Sequence, residues 1–460
     1  MKVSLINLNP ESRYPKLGLG YLASYAQKYY PRNLDIRIHD AATSKNMYSD
    51  VSAYDPDLIG VSCLTMEHGL LQDFARKNRE DLGKPLIVGG THYSAWNGFE
   101  EYIDIVVKGE GERTFLDILN NTHDGEVTNL GKIKGISFRD EAGYIKTTDK
   151  REVISNLDAI PYPNRDLFDM AYYAQPIQSD TGRIARETQI ISSRGCPHSC
   201  KYCASSAFWG NKVRYFSPEY VVGEVEELVN KYGIDSVLFF DDNFALSKPR
   251  VKKISALIKE RGLDKEAMFG CFSRADTMDN ETAQYLGDMN VISIVFGFET
   301  GSDRTLGYLK NNTVSVEDNR KAIRVCKDNG IRVASGFMAG SPFETKQDLQ
   351  DTIRFIEEEP LDTGWVSPVL AFPGTKLWDY AVASGIIDPN TVNWSGYATY
   401  LHHKIEAGED PFRGRPILTR EMDREEFTDL FRCIQEALER KSYRYYEEQR
   451  QRSKGHGEKF

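Results

Sequence analysis

The sequence has no long apolar run, few cysteines and no excess of positive charge. No stretch approaches the roughly 20 apolar residues that span a bilayer, and the start MKVSLINLNP lacks the apolar centre of a secretory signal. The formal net charge of -10 at pH 7 argues against a nucleic-acid partner, because phosphate binding requires a basic surface. We therefore expect no membrane span and no nucleic-acid partner.

Only seven cysteines occur in 460 residues. An odd number, mostly scattered, does not fit a disulfide framework and favours the reducing cytoplasm. We expect the four scattered cysteines to be small buried side chains. These are Cys63, Cys271, Cys326 and Cys433.

The chain is long enough for several domains. Residues 1–125 alternate short apolar runs with amphipathic stretches, which predicts an α/β domain with a doubly wound, Rossmann-like parallel sheet. Residues 126–185 read as a hairpin and a proline-punctuated linker. Residues 186–375 contain six strand–helix units and predict a partial barrel, since a complete one needs about eight. Residues 376–460 are predicted to form a mostly helical region that caps the substrate site.

Three cysteines cluster in SSRGCPHSCKYCASS, with the spacing C-x3-C-x2-C at Cys196, Cys200 and Cys203. They follow the first strand of the second domain, and catalytic groups of β/α barrels gather at such strand ends. A structural zinc site closes with four ligands, but no second cysteine pair follows, and His198 lies on the same tight loop. Three thiolates on a [4Fe–4S] cluster would instead leave one iron open to a small molecule. Zinc and chance core cysteines are the alternatives.

CPHSCKYC resembles the CxxxCxxC signature of the radical S-adenosylmethionine (SAM) superfamily, with the aromatic Tyr202 before the last cysteine. The resemblance covers about 186–375. It implies a partial (β/α)6 barrel, a [4Fe–4S] cluster on the three cysteines, and SAM bound through the open iron with Tyr202 nearby. It also implies that an external electron donor, such as flavodoxin or ferredoxin, reduces the cluster, which then cleaves SAM to a 5′-deoxyadenosyl radical.

Several strand ends of the second domain supply candidates for SAM binding. Asp241 and Asp242, with Asn243, follow the second strand and could accept charge-assisted hydrogen bonds from the SAM amino group. Arg274 ends the third strand and could pair with the SAM carboxylate. Glu299 ends the fourth strand and could hold the ribose hydroxyls or the polar tail. The alternative for the acids is helix capping.

The segment IVGGTHYSAWNGFEEYIDIVVKGEGERTF resembles the cobalamin-binding domain that precedes many radical SAM barrels, with the pattern GGxH…DxVVxGEGE. Glycines at strand ends let the backbone approach a bulky ligand, and ligands of doubly wound sheets bind at the carboxyl ends of the strands. The candidate cobalamin-binding residues are Ser62, Thr65, Gly89, Gly90, Thr91, His92, Gly109, Glu110, Gly111 and Glu112.

One motif of the methyltransferase-and-mutase type of cobalamin domain is missing. The sequence has no DxHxxG, and His39 precedes Asp40 in the wrong order, so His39 is not expected to be an axial cobalt ligand. His92 is as good a candidate for a structural hydrogen bond as for a ligand contact. A domain that keeps its fold without binding cobalamin is the alternative, since fold does not imply function.

The two resemblances together imply an enzyme that C-methylates an unactivated carbon of a small molecule or secondary-metabolite precursor, through a 5′-deoxyadenosyl radical and methylcobalamin. The in-class alternatives are a non-methylating radical cyclisation or rearrangement, and a radical SAM enzyme whose first domain no longer binds cobalamin. The complete cysteine trio argues against a non-catalytic scaffold, and the acidic balance argues against methylthiolation of RNA.

The third region contains aromatic and histidine side chains in a loop-like stretch. They are candidates for substrate recognition, although aromatic residues more often pack in a core. They are Trp394, Tyr397, Tyr400, His402 and His403.

Overall fold

The computed structural model describes residues 1–178, 184–397, 412 and 414–456, and the chain divides into two compact units. Unit 1 comprises Met1–Tyr173, Ala204–Gly210 and Trp394–Gly396. Unit 2 comprises Ala174–Cys203, Asn211–Asn393 and the described residues from Tyr397 onward. Within the described ranges, none of the helices combines the length and apolar character needed to cross a bilayer.

Unit 1 is built on a seven-stranded sheet. The elements in chain order are β1 (Lys2–Asn7), α1 (Leu17–Tyr29), β2 (Asp35–Asp40), α2 (Met47–Tyr54), β3 (Leu58–Ser62), α3 (His68–Lys77), β4 (Leu86–Gly89), α4 (Thr91–Ala95), β5 (Ile105–Val107), α5 (Glu112–Asn120), β6 (Thr122–His123), β7 (Glu126–Val127), β8 (Ile136–Arg139), β9 (Ile145–Thr147) and α6 (Met170–Tyr173). The sheet order is β2-β1-β3-β4-β5-β8-β9. The first five strands are parallel, and the β8–β9 hairpin extends their sheet antiparallel to β5.

Helices cover both faces of the parallel part of this sheet, which is why its strands are apolar on both sides. Successive side chains of a strand point to opposite faces. Accordingly, Leu5 of β1 packs in one core with Phe115 of α5, while its neighbour Ile6 packs in a second core with Phe74 of α3. These two cores confirm the predicted doubly wound sheet.

The strand order of unit 1 contains a reversal at β1. β1 lies between β2 and β3, and the order then continues to β4 and β5. In the doubly wound sheets of this order, the ligand crevice opens at the carboxyl ends of β1 and β3. The loop that follows β1 therefore borders the candidate ligand crevice together with the loop that follows β3.

Unit 2 is built on a second seven-stranded sheet. The remaining elements in chain order are β10 (Pro176–Gln178), β11 (Ile184–Ile190), β12 (Ser193–Arg194), α7 (Ser205–Trp209, part of unit 1), β13 (Arg214–Tyr215), α8 (Pro218–Tyr232), β14 (Ser236–Phe239), α9 (Lys248–Glu260), β15 (Met268–Ser273), α10 (Asn280–Asp288), β16 (Val291–Glu299), α11 (Asp303–Lys310), α12 (Val316–Asp328), β17 (Arg332–Ala339), α13 (Lys346–Glu358), β18 (Thr363–Pro368), α14 (Lys376–Ala383) and α15 (Arg424–His456). The sheet order is β10-β11-β14-β15-β16-β17-β18.

Six strands of this sheet pair in parallel, namely β11, β14, β15, β16, β17 and β18, and β10 is antiparallel at the edge. This confirms the predicted partial barrel of six β/α units. The structure adds α11, a short helix that the sequence pattern did not predict. Ser302 caps α11 by accepting a hydrogen bond from the Thr305 N–H at 3.3 Å, and α11 buries Leu306 and Leu309.

Three of the four scattered cysteines are buried as expected: Cys63, Cys271 and Cys326. The expectation is wrong for Cys433 of α15, which is exposed. None of the seven cysteines, all of which lie in the described ranges, forms a disulfide.

We predict that Gly301→Ala destabilises unit 2, because the added Cβ would lie 2.6 Å from the Asp351 carbonyl oxygen and 2.8 Å from the Thr352 Cα, both on α13. Overpacking of this kind costs about 1–3 kcal/mol. The control is Gly287→Ala in α10, where a Cβ meets nothing within 4 Å; it should be neutral or stabilise by up to about 1 kcal/mol. Denaturant unfolding measures both, and equal stabilities would contradict the prediction.

Candidate functional site

The loop that carries the three cysteines lies at the carboxyl end of β11 and is bonded to distant parts of unit 2. The Lys201 N–H donates to the Leu309 carbonyl at 2.9 Å, and the Leu377 N–H donates to the Lys201 carbonyl at 3.1 Å. The Asn311 side chain donates to the Ser199 carbonyl at 2.5 Å. Backbone and side-chain bonds from α11, the residue after it and α14 therefore fix the loop on both sides of Lys201.

The donor chemistry of the loop fits an iron–sulfur cluster. The three cysteines form no disulfide and are partly exposed. Burial raises the pKa of the Cys196 thiol, and the His198 backbone N–H, which donates to it, acts in the opposite direction. Within the described residues, no three His, Cys, Asp or Glu side chains converge as ligands of a single ion. A [4Fe–4S] cluster uses a different iron for each thiolate, so its ligands lie further apart than those of one zinc ion.

Asp241 holds the start of this loop. One of its carboxylate oxygens accepts the Ser192 N–H at 2.7 Å, and the other accepts the hydroxyls of Ser192 at 2.5 Å and Ser193 at 2.6 Å. Arg250 donates to the Ser192 carbonyl at 2.7 Å from the other side. Both oxygens of the buried Asp241 are thus used within the protein, which gives it a structural role; its contact with SAM stays a prediction.

The two residues after Asp241 differ in exposure. Asp242 is exposed, and its negative charge adds to burial in raising the pKa of Cys196. Asn243 is buried and its Oδ1 accepts the Ser273 hydroxyl at 3.0 Å. Its Nδ2 is buried without a hydrogen-bond partner. Of the two aspartates, Asp242 is the one whose side chain is exposed.

Arg274 is the one predicted SAM-binding cation, and its guanidinium is already paired. Nε and Nη2 contact the two carboxylate oxygens of Asp276 at 3.0 and 3.1 Å, and Nη2 donates to the Thr313 hydroxyl at 3.1 Å. Nη1 points to the Cys200 Sγ at 3.4 Å. Burial alone would lower the pKa of Arg274, but Asp276 and Cys200 raise it overall. The structure thus places Arg274 against a cysteine thiol and an internal carboxylate.

Glu299 lies beside the aromatic residue of the cysteine motif. The Tyr202 hydroxyl donates to the Glu299 Oε1 at 2.8 Å, and the buried Lys310 Nζ lies 3.3 Å from the same oxygen. Lys310 also donates to the Gly297 carbonyl at 2.5 Å. Burial and the Glu299 charge raise the pKa of Tyr202, so it stays a protonated donor. Lys310 was not identified from the sequence, because it lies on the unpredicted helix α11.

The backbone of Glu299 is strained. Its φ is 69°, a left-handed conformation that costs a residue with a side chain on the order of 1–3 kcal/mol. Its carboxylate folds back over Gly297, where an added Cβ would lie 2.3 Å from Oε1. Strain of this kind clusters at functional sites, which supports Glu299 as a site residue.

The strand ends of β3 and β4 meet in unit 1. Ser62 and Gly89 are paired in register, and the exposed Thr91 begins α4. Gly90 has a φ of 101°, and an added Cβ would lie 2.5 Å from the Cys63 carbonyl oxygen. The glycine pair therefore lets the loop after β4 lie directly on the loop after β3.

His92 is buried behind these strand ends. Its Nδ1 lies 3.2 Å from the Thr65 hydroxyl, and its Nε2 is buried without a hydrogen-bond partner. Burial and the neighbouring His68 lower the pKa of His92 to about 3, so the imidazole is neutral at physiological pH. Its ring also contacts Trp394 at a centroid distance of 4.9 Å. In this structure His92 joins the two loops and packs against aromatic rings.

The GEGE segment joins β5 to α5 and contacts other parts of unit 1. The Glu110 carboxylate accepts the Ile154 N–H at 3.1 Å, and an added Cβ at Gly111 would lie 3.0 Å from a methyl group of α1. Glu112 is buried at the first turn of α5, where a carboxylate suits the helix dipole. Gly109 differs, because its φ is 76° and an added Cβ would meet nothing within 4 Å.

Two features of unit 1 were not identified from the sequence. Lys16, which ends the loop after β1, donates to the Ser62 carbonyl at 2.7 Å and to Glu67 at 2.6 Å. Leu64 and Met66, just after β3, are 37% and 39% exposed. Apolar side chains at a strand end with nearby glycines suit a bulky ligand with an apolar face, so the residues present fit a cobalamin. Only the strand order, which no local pattern reveals, shows that both loops border one crevice.

The aromatic candidates of the third region divide into packed and undescribed residues. Trp394 packs on Trp96 as well as His92, at 5.2 Å between ring centroids. Tyr397 is buried and contacts Phe372 at 5.6 Å. Tyr400, His402 and His403 lie outside the described residues.

Fold and site together define an α/β protein with a mostly parallel sheet in each unit and a three-cysteine loop in the second unit. Comparison with known proteins agrees: residues 190–356 match the radical SAM superfamily, and residues 3–119 match the B12 binding domain. The chain belongs to the radical SAM superfamily, with a B12 binding domain ahead of its radical SAM domain. The cofactors of this class are a [4Fe–4S] cluster, SAM and cobalamin.

Two relatives span most of the chain. An uncharacterised methyltransferase of Pyrococcus horikoshii is 30% identical over 397 residues, which cover 84% of this chain and 82% of the relative. The cytidylyl-2-hydroxyethylphosphonate methyltransferase of Streptomyces wedmorensis is 25% identical over 440 residues, covering 83% and 80%. Among solved structures, the radical SAM methyltransferase TsrM of Kitasatospora setae, with cobalamin and a [4Fe–4S] cluster bound, has a TM-score of 0.68 at 17% identity, covering 83% of this chain and 75% of that one. That likeness shows the fold.

We predict that Asp241→Asn and Asp242→Asn behave differently. Asp241→Asn places an amide N–H₂ where hydroxyls now donate, so it should destabilise the protein by about 1.5–3 kcal/mol and lower its iron content after reconstitution. Asp242→Asn changes an exposed carboxylate and should alter stability by less than about 0.5 kcal/mol. Denaturant unfolding and iron assays test both variants. The structural role of Asp241 would be disproved if its variant were as stable as the wild type.

Proposed function

We propose that this protein transfers a methyl group to a carbon atom of a small molecule, using a radical SAM centre together with cobalamin. The observation that carries the proposal is the presence in one chain of two fitting sites: the bonded three-cysteine loop of unit 2 and the glycine-lined strand ends of unit 1. Two methyltransferases align with more than four fifths of this chain. When bound, the cluster and SAM supply a hydrogen-abstracting radical, and cobalamin supplies the methyl group.

In unit 2, we assign the residues that would bind and orient the cluster and SAM. Cys196, Cys200 and Cys203 are proposed to hold the cluster. Asp242, the exposed carboxylate whose charge raises the pKa of Cys196, is proposed to accept hydrogen bonds from the SAM ammonium. Glu299, held by Tyr202 and Lys310, is proposed to meet the polar part of SAM from the end of β16.

In unit 1, the proposed cobalamin site consists of the strand ends around the crevice. Ser62, Gly89 and Gly109 would allow close approach of the backbone, and Leu64 with Met66 would cover an apolar face of the ligand. Thr65 and His92 support these loops from behind. No histidine of this chain is assigned as an axial cobalt ligand.

Residues outside these sites have more general proposed roles. The described part of the region 376–460 is proposed to help recognise the substrate. The cluster would need one electron from another protein, and we propose a flavodoxin- or ferredoxin-type donor. Seven cysteines without a disulfide suit a reducing compartment, and we propose the cytoplasm.

The cluster assignment predicts the behaviour of cysteine variants. Anaerobic reconstitution with iron and sulfide should give the wild type iron–sulfur absorbance and, with SAM and a reductant, 5′-deoxyadenosine. A Cys196→Ala/Cys200→Ala/Cys203→Ala variant should lose both, because the cluster loses its thiolates. Cys433→Ala removes an exposed thiol and should retain both. A triple variant that still carried a cluster and cleaved SAM would overturn the assignment.

The cobalamin assignment predicts the effect of Met66→Glu. A carboxylate on this exposed apolar surface should weaken hydroxocobalamin binding at least about tenfold, because burying a charge is costly, while cluster content stays unchanged. Tyr144→Glu, at a side chain of unit 1 that is 69% exposed, is the control and should bind normally. Absorbance titration measures both variants.

The same titration separates the alternatives. A wild type that binds no cobalamin would remove the methylation proposal and favour a radical SAM enzyme whose first domain has lost its ligand. With cobalamin bound, SAM carrying an isotope-labelled methyl group should yield unlabelled S-adenosylhomocysteine, and the labelled methyl group should be recovered with the cobalamin. The absence of S-adenosylhomocysteine, with 5′-deoxyadenosine still formed, would favour radical cyclisation or rearrangement.

A further inference from the structure

Arg274 is a buried cation whose hydrogen bonds identify a role that the sequence did not suggest. Its side chain is 8% exposed. Two of its nitrogens are paired with the carboxylate of Asp276, and one of these also donates to the Thr313 hydroxyl. These bonds fix the plane of the guanidinium, because Arg presents its donors in a rigid fork. The remaining nitrogen, Nη1, is thereby directed at the Cys200 Sγ, 3.4 Å away.

This arrangement leaves few hydrogen-bond donors of the Arg274 guanidinium for a SAM carboxylate. A bidentate carboxylate partner uses the geometry in which Arg binds carboxylates best, and Asp276 already supplies that partner within the protein. A second carboxylate on the same guanidinium would lie close to Asp276 and be repelled by it. The thiol of Cys200 is the partner that the clamped guanidinium does reach.

The positive charge of Arg274 interacts electrostatically with a cluster bound through Cys200. Reduction adds one electron to the cluster, so a nearby positive charge stabilises the reduced form more than the oxidised form. The effect is strong where water is excluded, because charges interact more strongly at low dielectric. Hydrogen bonds to the cysteine sulfurs and the local net charge are known to set the reduction potentials of iron–sulfur clusters.

We propose that Arg274, clamped by Asp276 and Thr313, is a positioning residue that donates to the Cys200 sulfur and raises the reduction potential of the cluster. The step it assists is a single electron transfer: the external donor is oxidised by one electron, the cluster is reduced by one, and no bond forms or breaks. The inference rests on the proposed function only in requiring that the cluster is bound by the three cysteines.

The test is a potentiometric titration of the reconstituted protein without SAM, followed by electron paramagnetic resonance. Arg274→Gln removes the cation and should make the reduced cluster at least tenfold less populated at a fixed potential, a fall of about 59 mV for one electron. Asp276→Asn removes the opposing negative charge and should shift the potential upward. Arg324→Gln, in an exposed pair with Glu317, is the control and should leave the potential unchanged.

A SAM-binding measurement on the same variants separates the two roles of Arg274. Unchanged potentials in both the Gln and the Asn variant, with SAM affinity lost in Arg274→Gln, would overturn the proposal and restore the pairing with the SAM carboxylate. Unchanged potentials with SAM affinity intact would also overturn it. If Arg274→Gln fails to retain a cluster, the test uses two other variants. Arg274→Lys keeps the positive charge, so its cluster should not show the fall in potential, and Asp276→Asn should still shift the potential upward. A wild type without any cluster would instead count against the proposed function.

Discussion

Parallel strand pairing is the constraint on which both candidate sites depend. Two parallel neighbours cannot be joined by a tight hairpin, so the chain crosses back through a helix each time. All carboxyl ends of the parallel strands therefore lie at one edge of each sheet. In unit 2 this brings together residues that follow β11, β14, β15 and β16, and in unit 1 it brings together those that follow β1, β3 and β4. Residues that are far apart in the sequence therefore become neighbours, although no local sequence pattern specifies their contacts.

Elements with local signals could be predicted from the sequence. Helix α8 begins after Ser217, which caps it, with Pro218 at its first position, and both are local start signals. The order of strands in unit 1 and the joining of the β8–β9 hairpin to its sheet could not be predicted, because they depend on pairing between distant segments. Helix α11 was missed because it is a single short helix inside a β/α unit that already had α12.

The candidate site likewise contains some features that local sequence signals predict and others that depend on distant segments. The three cysteines could be recognised from their spacing within one loop, which is a local property. The partners of strand-end side chains could not be predicted in this way. Asp241 and Asp242 are adjacent in sequence, yet Asp241 is buried and accepts hydrogen bonds from two serine hydroxyls, whereas Asp242 is exposed. Residue type alone also suggested a ligand contact for Arg274, whose partner Asp276 lies only two residues away but whose third partner, Thr313, comes from beyond α11.

The bonds on either side of Lys201 also bear on how the protein is made. Leu309 and Leu377, which fix the loop, are translated long after the cysteines. Until the ribosome has produced α14, the loop lacks the backbone bond from Leu377, and its three thiols are open to oxidation. Cofactor insertion is therefore expected to be post-translational, and a truncated chain ending before Leu377 would carry the full cysteine motif without one of the two backbone bonds that hold it.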